Sequence, residues 1–361
     1  MKAWRLAGQG AAALAGGMGI GRFAYTPILP MMHTQAGLSP RLGAALATAN
    51  YTGYLAGAVA AIVAPRLTHS RWTLRLSLLI LAATLGLMPL SQSGPLWLGL
   101  RLVAGIASAL VFVIAVSAML TRLHSHHVGW SFGGIGAGIA LSGAVLTDNW
   151  QHAWWITAAL TLACTVPAWH LPSAAPAEAL KPAEPSRFGA LLTSYSLEGV
   201  GYIIAGTFLV AAINETASAR VGSGAWVVVG LAALPSSALW AWLGRRWSRP
   251  ALLLTALLLQ SVGIALPALF EGPIAAVLSA ALFGVTFLGV ASITLAIGAH
   301  PRAVAILTTG YSLGQIVGPL AVGPLLHHGY HQALLVSAGV VALAATAAAL
   351  VRPQPNLGEL S

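Results

Sequence analysis

Charge is what this sequence has least of. Asp, Glu, Lys and Arg make up 7% of its 361 residues, against roughly a quarter in a soluble domain. The apolar share is 58% and the mean hydropathy is +0.83, so lipid, not water, must solvate most of the chain. Cysteine is nearly absent as well: Cys164 stands alone within an apolar run, which excludes an intrachain disulfide. There are two lysines, Lys2 and Lys181, and neither follows the glycine-rich turn of a phosphate-cradling loop. The one aspartate, Asp148, lies in no soluble domain of the kind a phosphorylated pump needs, so ATP does not drive the chain directly. Paired acids and a His-Glu-x-x-His helix are missing, all eleven histidines lie in or near loops, and Ser142 has no base beside it. The expectation is no enzyme, no cofactor and no metal site. The clusters His124/His126/His127 and His327/His328/His331 lack the cysteines and acids that would hold a metal and read as headgroup-level residues.

What the chain has is long apolar runs. A bilayer core of about 30 Å takes about 20 helical residues, and twelve such runs fall near 8–32, 41–64, 74–92, 95–120, 129–147, 153–171, 189–212, 223–243, 251–270, 274–298, 303–326 and 333–351. The first is read as a retained span rather than a cleaved leader, because it runs on past Ala15 and carries Arg22, two prolines and several glycines. The net charge of +10 comes from bases in short loops with no aromatic interleaving, which excludes nucleic acid as a partner. With the amino terminus inside, 13 of the 17 bases fall on the cytoplasmic side, and the external loops keep Arg41 and Arg220. This bias places both termini in the cytoplasm and makes the number of spans even. A bacterial inner membrane is the expected location.

The midpoint of the chain carries a different composition. Residues 172–188 hold four prolines together with Glu178, Lys181, Glu184 and Arg187, which reads as an extended cytoplasmic linker. On either side the sequence repeats. The small-residue run Gly134 to Gly143 matches Gly310 to Pro319 at an offset of 176; Gly19 and Gly21 pair with Gly199 and Gly201 at 180; and Gly105 pairs with Gly284 at 179. Glycines four apart let helices approach closely in lipid, which is the reading given to these runs and to Gly53/Gly57. The expected fold is an all-α polytopic membrane protein. Its twelve transmembrane helices form two six-helix bundles, 1–171 and 189–361, related by an axis along the membrane normal.

Three charges lie inside the spans, where each costs roughly 2.5–3.5 kcal/mol on insertion scales and so demands a partner or a wet cavity. At 1.5 Å per residue, Arg22 lies about 21 Å from the cytoplasmic edge, Arg101 at a similar depth and Glu198 at about 13 Å. The arginines suit an anionic group or, between solutes, Glu198; as the one membrane-depth carboxyl, Glu198 is the candidate proton site. Around them Tyr25, Thr26, Asn50, Tyr51, Tyr54, Tyr202, Tyr311 and Gln315 offer polar tips on amphipathic bodies, suited to a small organic solute. Pro27 and Pro30 free backbone carbonyls beside Arg22, and a bend is expected there.

The stretches Gly17-Met18-Gly19-Ile20-Gly21-Arg22-Phe23-Ala24-Tyr25-Thr26-Pro27-Ile28-Leu29-Pro30 and Gly310 to Pro319, with Arg101-x3-Gly105-x3-Ala109, resemble the major facilitator superfamily and, more narrowly, its YbfB/YjiJ-like branch. The resemblance covers nearly the whole chain. It implies a monomeric secondary transporter of a small organic solute, coupled to protons and working by alternating access, with spans 1, 4, 7 and 10 around the cavity. An uncoupled facilitator, and a transporter-like sensor or assembly partner, are the alternatives. The resemblance also lends Arg101 a role in proton coupling. The loop Pro65 to Trp72 lacks the acidic residue and glycine of the usual gating motif, and span 5 lacks the proline of the drug/proton antiporters.

Overall fold

The structure is a computed structural model that describes residues 2–145, 147–172, 188–298 and 301–351. The linker expected at 172–188 lies, from 173 to 187, outside the described residues. Every secondary-structure element among the described residues is helical. In chain order these are α1 (Lys2–Leu14), a π-helical turn (Ala15–Ile20), α2 (Tyr25–Ala36), α3 (Pro40–Val63), α4 (Pro65–Thr68), α5 (Arg71–Leu87) and a 3₁₀ segment (Met88–Leu90). They continue as α6 (Gly94–Leu120), α7 (Ser125–Gly143), α8 (Trp150–Ala168), α9 (Phe188–Thr216), α10 (Ala219–Ala233), α11 (Ser236–Leu243) and α12 (Arg249–Leu269). The last are α13 (Pro273–Gly298), α14 (Pro301–Val322), a 3₁₀ segment (Gly323–His328) and α15 (Tyr330–Ala349).

Each predicted span therefore coincides with a helix or an interrupted helix. Seven helices, α3, α5, α6, α9, α12, α13 and α15, are long and apolar enough to cross a bilayer individually, and α10 with α11 forms a further candidate bent by 42°. That bend, absent from the sequence reading of 223–243 as one span, falls at Leu234 and Pro235, where proline removes a helical N–H and crowds the preceding turn. The break in the first span lies earlier than the two prolines alone would put it. The glycine-rich run winds as a π-helical turn closed by the Gly21 N–H on the Gly16 carbonyl at 2.9 Å. Residues Gly21 to Ala24 then turn, and Pro27, which has no N–H to give Phe23, leaves the Phe23 carbonyl to accept from Thr26 instead.

Local chemistry sets the other boundaries. Ser39, Ser70 and Asn149 cap α3, α5 and α8 through side-chain oxygens that accept the first free N–H groups. Gly37, at φ 65°, ends α2 in the left-handed conformation that glycine adopts without penalty. The exterior is apolar: Leu76 and Ile80 on α5, Leu258 and Val262 on α12, and Leu335 and Leu343 on α15 are all exposed.

The repeat read from the sequence reappears as equivalent helix contacts. A Cβ on Gly105 would strike the carbonyl of Asn50, and one on Gly284 the carbonyl of Val229, so α6 meets α3 as α13 meets α10. Both members of these two contacts are 179 residues apart. Likewise Gly19 abuts Ile135 and Gly138, while Gly199 abuts Tyr311 and Gly314 abuts Ser196 and Gly199. Across the pseudo-symmetry, α7 runs against α10 and α11 through Gly133, Gly136 and Gly143, and α3 packs on α14. The small-residue runs are thus helix contacts rather than ligand loops.

Candidate functional site

The turn that follows the π-helical segment delivers Arg22 into the centre of the molecule, between the two sets of helices. Its side chain is 3% exposed. One terminal nitrogen donates to Oε1 of Gln315 on α14 at 2.6 Å, and the guanidinium lies over the rings of Tyr54 at 4.3 Å and Tyr51 at 5.0 Å, both on α3. Cation–π contact of this kind partly replaces lost hydration. Nε of Arg22 has no partner.

Arg101 on α6 is equally deep, at 1% exposure. Its guanidinium sits over the ring of Tyr25 at 4.8 Å, and Nη2 reaches the carbonyl of Arg22 at 3.5 Å. Nε and Nη1 have no partner. Asn50 donates to the Arg101 carbonyl at 3.0 Å, and its own Oδ1 is unpaired. Tyr25 in turn donates its hydroxyl to the Gly43 carbonyl at 2.8 Å, which fixes the ring beneath Arg101. Among the described residues no carboxylate lies within 4 Å of either guanidinium.

Glu198 on α9 stands apart from this pair. It is fully buried, and its Oε1 accepts from Nε2 of Gln260 on α12 at 3.4 Å, while Oε2 is unpartnered. The sequence reading allowed Glu198 as the arginines' counter-charge; here Gln315 holds Arg22 instead. Between the two charge centres runs a stack of aromatic rings. Tyr202 on α9 lies nearly parallel to Phe287 on α13 (4°, centroids 5.9 Å) and to Tyr311 on α14 (14°, 5.5 Å), and Tyr311 stacks on Tyr195 at 4.4 Å. Gln315 Nε2 donates to the Tyr202 hydroxyl at 3.5 Å, so the amide joins the stack to Arg22.

Thr26 takes no part in this cluster. It donates to the Gly206 carbonyl at 2.5 Å, and the Tyr51 hydroxyl meets Thr207 at 2.8 Å; both bonds tie the first helices to α9 on the side of the centre remote from the amino terminus. Further along, the Tyr330 hydroxyl bonds His33 Nε2, Glu215 accepts from the Tyr330 N–H and pairs with His331 at 2.9 Å. A cavity of about 950 Å³ opens at that end, between Pro27, Gln35, Asp148, Asn214 and Arg220 among others. It does not reach Arg22 or Arg101.

The structure thus brings Arg22, Tyr25, Asn50, Tyr54, Arg101, Tyr202, Tyr311 and Gln315 together, places Glu198 at the far side of the tyrosines, and leaves Thr26 outside the cluster, bonded to the Gly206 carbonyl. Sequence reasoning passed over Gln260, Phe287 and Tyr195. Gln260 had a legible signal, a lone amide in the otherwise apolar run 251–270. His127, read as a headgroup-level residue, is instead buried with its ring edge-to-face to Trp4 at 4.7 Å.

Two sets of helices built on one repeated plan, enclosing a buried cationic centre, define a membrane transporter of the major facilitator type rather than an enzyme. The chain matches the family described as uncharacterised MFS-type transporter YbfB over residues 14–349, and it belongs to that family. It is an integral membrane protein. Its fold is similar to the crystal structure of a single-site variant of the nucleoside transporter NupG, with a TM-score of 0.71 and 15% identity over 96% of this chain and 98% of that one. No curated protein matches the chain.

Proposed function

We propose that the chain is a proton-coupled secondary transporter of a small organic solute, working by alternating access. The moving bodies are residues 1–171 and 189–361, joined by the linker 172–188, in a monomer whose two termini face the cytoplasm of a bacterium. The observation that carries this reading is the central pair Arg22 and Arg101, buried without a carboxylate partner, set across the molecular pseudo-symmetry from Gln315 and Tyr202. Unpaired cations at this depth are costly unless a solute spends part of the cycle beside them. Tyr25, Asn50, Tyr54 and Tyr311 shape the solute site, and Thr26 closes it.

Glu198 is the proton carrier. It lies deep in α9, is held by a neutral amide rather than by an arginine, and is separated from the solute site by hydrogen-bonding tyrosines. The test is proton flux in proteoliposomes with an enclosed pH dye, challenged with nucleosides, sugars and organic acids. A solute that drives flux in the wild type and not in Glu198→Gln supports the coupling. Flux unchanged in Glu198→Gln refutes the proton assignment, and accumulation that persists without a proton gradient makes the protein an uncoupled facilitator.

A further inference from the structure

The Arg22–Gln315 bond points to the chemistry of the solute. It is the polar contact at the core of the site that joins the two repeats, and it is short for a bond between a guanidinium and a neutral amide oxygen: 2.6 Å, below even the ~2.7–2.9 Å usual for carboxylate partners. Three further guanidinium nitrogens of the same two arginines are buried and unused, Arg22 Nε, Arg101 Nε and Arg101 Nη1. Burying a guanidinium N–H without an acceptor costs more than the bond itself is worth once made. The site is therefore built for an acceptor richer than one amide oxygen. With Glu198 ionised, the two arginines leave one net positive charge in this region, which a single negative charge complements and a doubly charged group would overshoot.

The body of the solute is constrained by what adjoins that acceptor position. Gln315 leads directly onto the ring of Tyr202, whose stack with Tyr311, Phe283 and Phe287 is parallel to within 15°. Gly206 adds no side chain beside Tyr202 and Phe283, where a Cβ would meet both rings at ordinary van der Waals distance. Parallel, offset rings present flat faces, which receive a planar unsaturated group better than a bulky saturated one.

We propose that the solute is an organic monocarboxylate with a planar unsaturated body, and that the Gln315 amide oxygen holds the place of its carboxylate on Arg22 when the site is empty. This rests on the central cluster being the solute site. When the solute arrives, its carboxylate takes the Arg22 N–H from Gln315 and engages the unused N–H groups of Arg101. The same exchange releases the bond between the repeats, so loading the site and loosening the closed form are one event.

The experiment uses the full chain in lipid nanodiscs and measures thermal stabilisation and titration heats with benzoate, nicotinate and indole-3-acetate. Each acid is paired with its amide, and phenyl phosphate and cyclohexanecarboxylate complete the panel. The acids are expected to bind at least tenfold more tightly than their amides, and benzoate more tightly than cyclohexanecarboxylate. Gln315→Glu supplies a tethered carboxylate and is expected to weaken acid binding by at least tenfold. Gln315→Leu removes the competitor and is expected to bind acids at least as well as the wild type, which keeps the idea testable should Gln315→Glu fail to fold. Amides binding as well as acids, no response to any carboxylate, a response to phenyl phosphate alone, or wild-type acid affinity in Gln315→Glu each overturns the proposal. Flux driven by a neutral solute would remove the carboxylate and leave the transporter standing; acids that bind yet drive no flux would do the reverse.

Discussion

Three side-chain hydrogen bonds hold the first helices to the later ones on the side of the centre remote from the amino terminus: Thr26 to the Gly206 carbonyl, Tyr51 to Thr207, and His33 to Tyr330. Replacing Thr26→Val, Tyr51→Phe and Tyr330→Phe removes all three with little change of volume. Hydrogen bonds between helices in a membrane average about 0.6 kcal/mol and reach about 1.7. The triple variant should therefore destabilise the closed form by about 2 kcal/mol, or about 30-fold in the equilibrium between closed and open forms. If the open form is on the order of 1% of the wild type, it becomes about a quarter of the variant. The single Cys164 makes the assay clean: in a Cys164→Ala background, spin labels at Thr34 and Gln332, both exposed near these bonds, report the distance distribution by pulsed resonance. A long-distance population should appear in the triple variant and rise stepwise through the singles. An unchanged distribution in the triple variant would show that apolar packing, not these hydroxyls, holds the closure, and the reasoning would fail.

Gly105→Val and Gly284→Val each drive a side chain into a backbone carbonyl at equivalent contacts, so both should cost about 1–3 kcal/mol and lower the melting temperature in detergent alike, whereas Gly8→Ala, with open space around it, should leave the melt unmoved. Burial pushes the His33 imidazole below its usual range, against a smaller opposing effect from the Leu38 backbone. A lowered value means the closed contact is complete above the free imidazole's range and is lost as the pH falls through the depressed one. The same spin labels should therefore report opening on acidification from pH 7 to 5, and His33→Gln should abolish the response. Gln260→Leu leaves the Glu198 carboxyl without its hydrogen bond and should cost about 1–3 kcal/mol, while adding Glu198→Leu should recover much of the loss; a Gln260→Leu melt equal to the wild type would mean that the bond contributes nothing, and a double variant no better than the single would mean that the stranded carboxyl is not the source of the loss.

The legible part of this molecule was the part written in lipid solubility. Scarce charge forced helices, and glycine spacing forced close helix contacts, so Gly105 and Gly284 could be paired by counting before either contact was seen. The three membrane-depth charges were legible for the same reason. What could not be read was which partner each would take. Gln315 and Glu198 are both polar groups that counting places near Arg22, and only the packing of α14 against α9 brings the amide to it. The break at Pro235 was legible in principle, but an apolar run on both sides concealed it. The aromatic stack was hidden because its members come from α9, α13 and α14, and no local spacing links them.

The π-helical turn at Ala15–Ile20 carries one residue more than an α-helix would use there. Each residue of α-helix turns the chain by about 100°, so the extra one, wound as α-helix, would swing Arg22 by that angle away from Gln315; the wider turn absorbs it. Deleting one of Gly16, Gly17 or Gly19 would let the turn relax to ordinary helix with Arg22 still facing Gln315, whereas a further insertion would rotate Arg22 by about 100°. In this span aim is encoded by the number of residues and how they wind: glycine can be exchanged at a packing cost, and one deletion can be absorbed by the wide turn, but an insertion would disarm the site while leaving every side chain present.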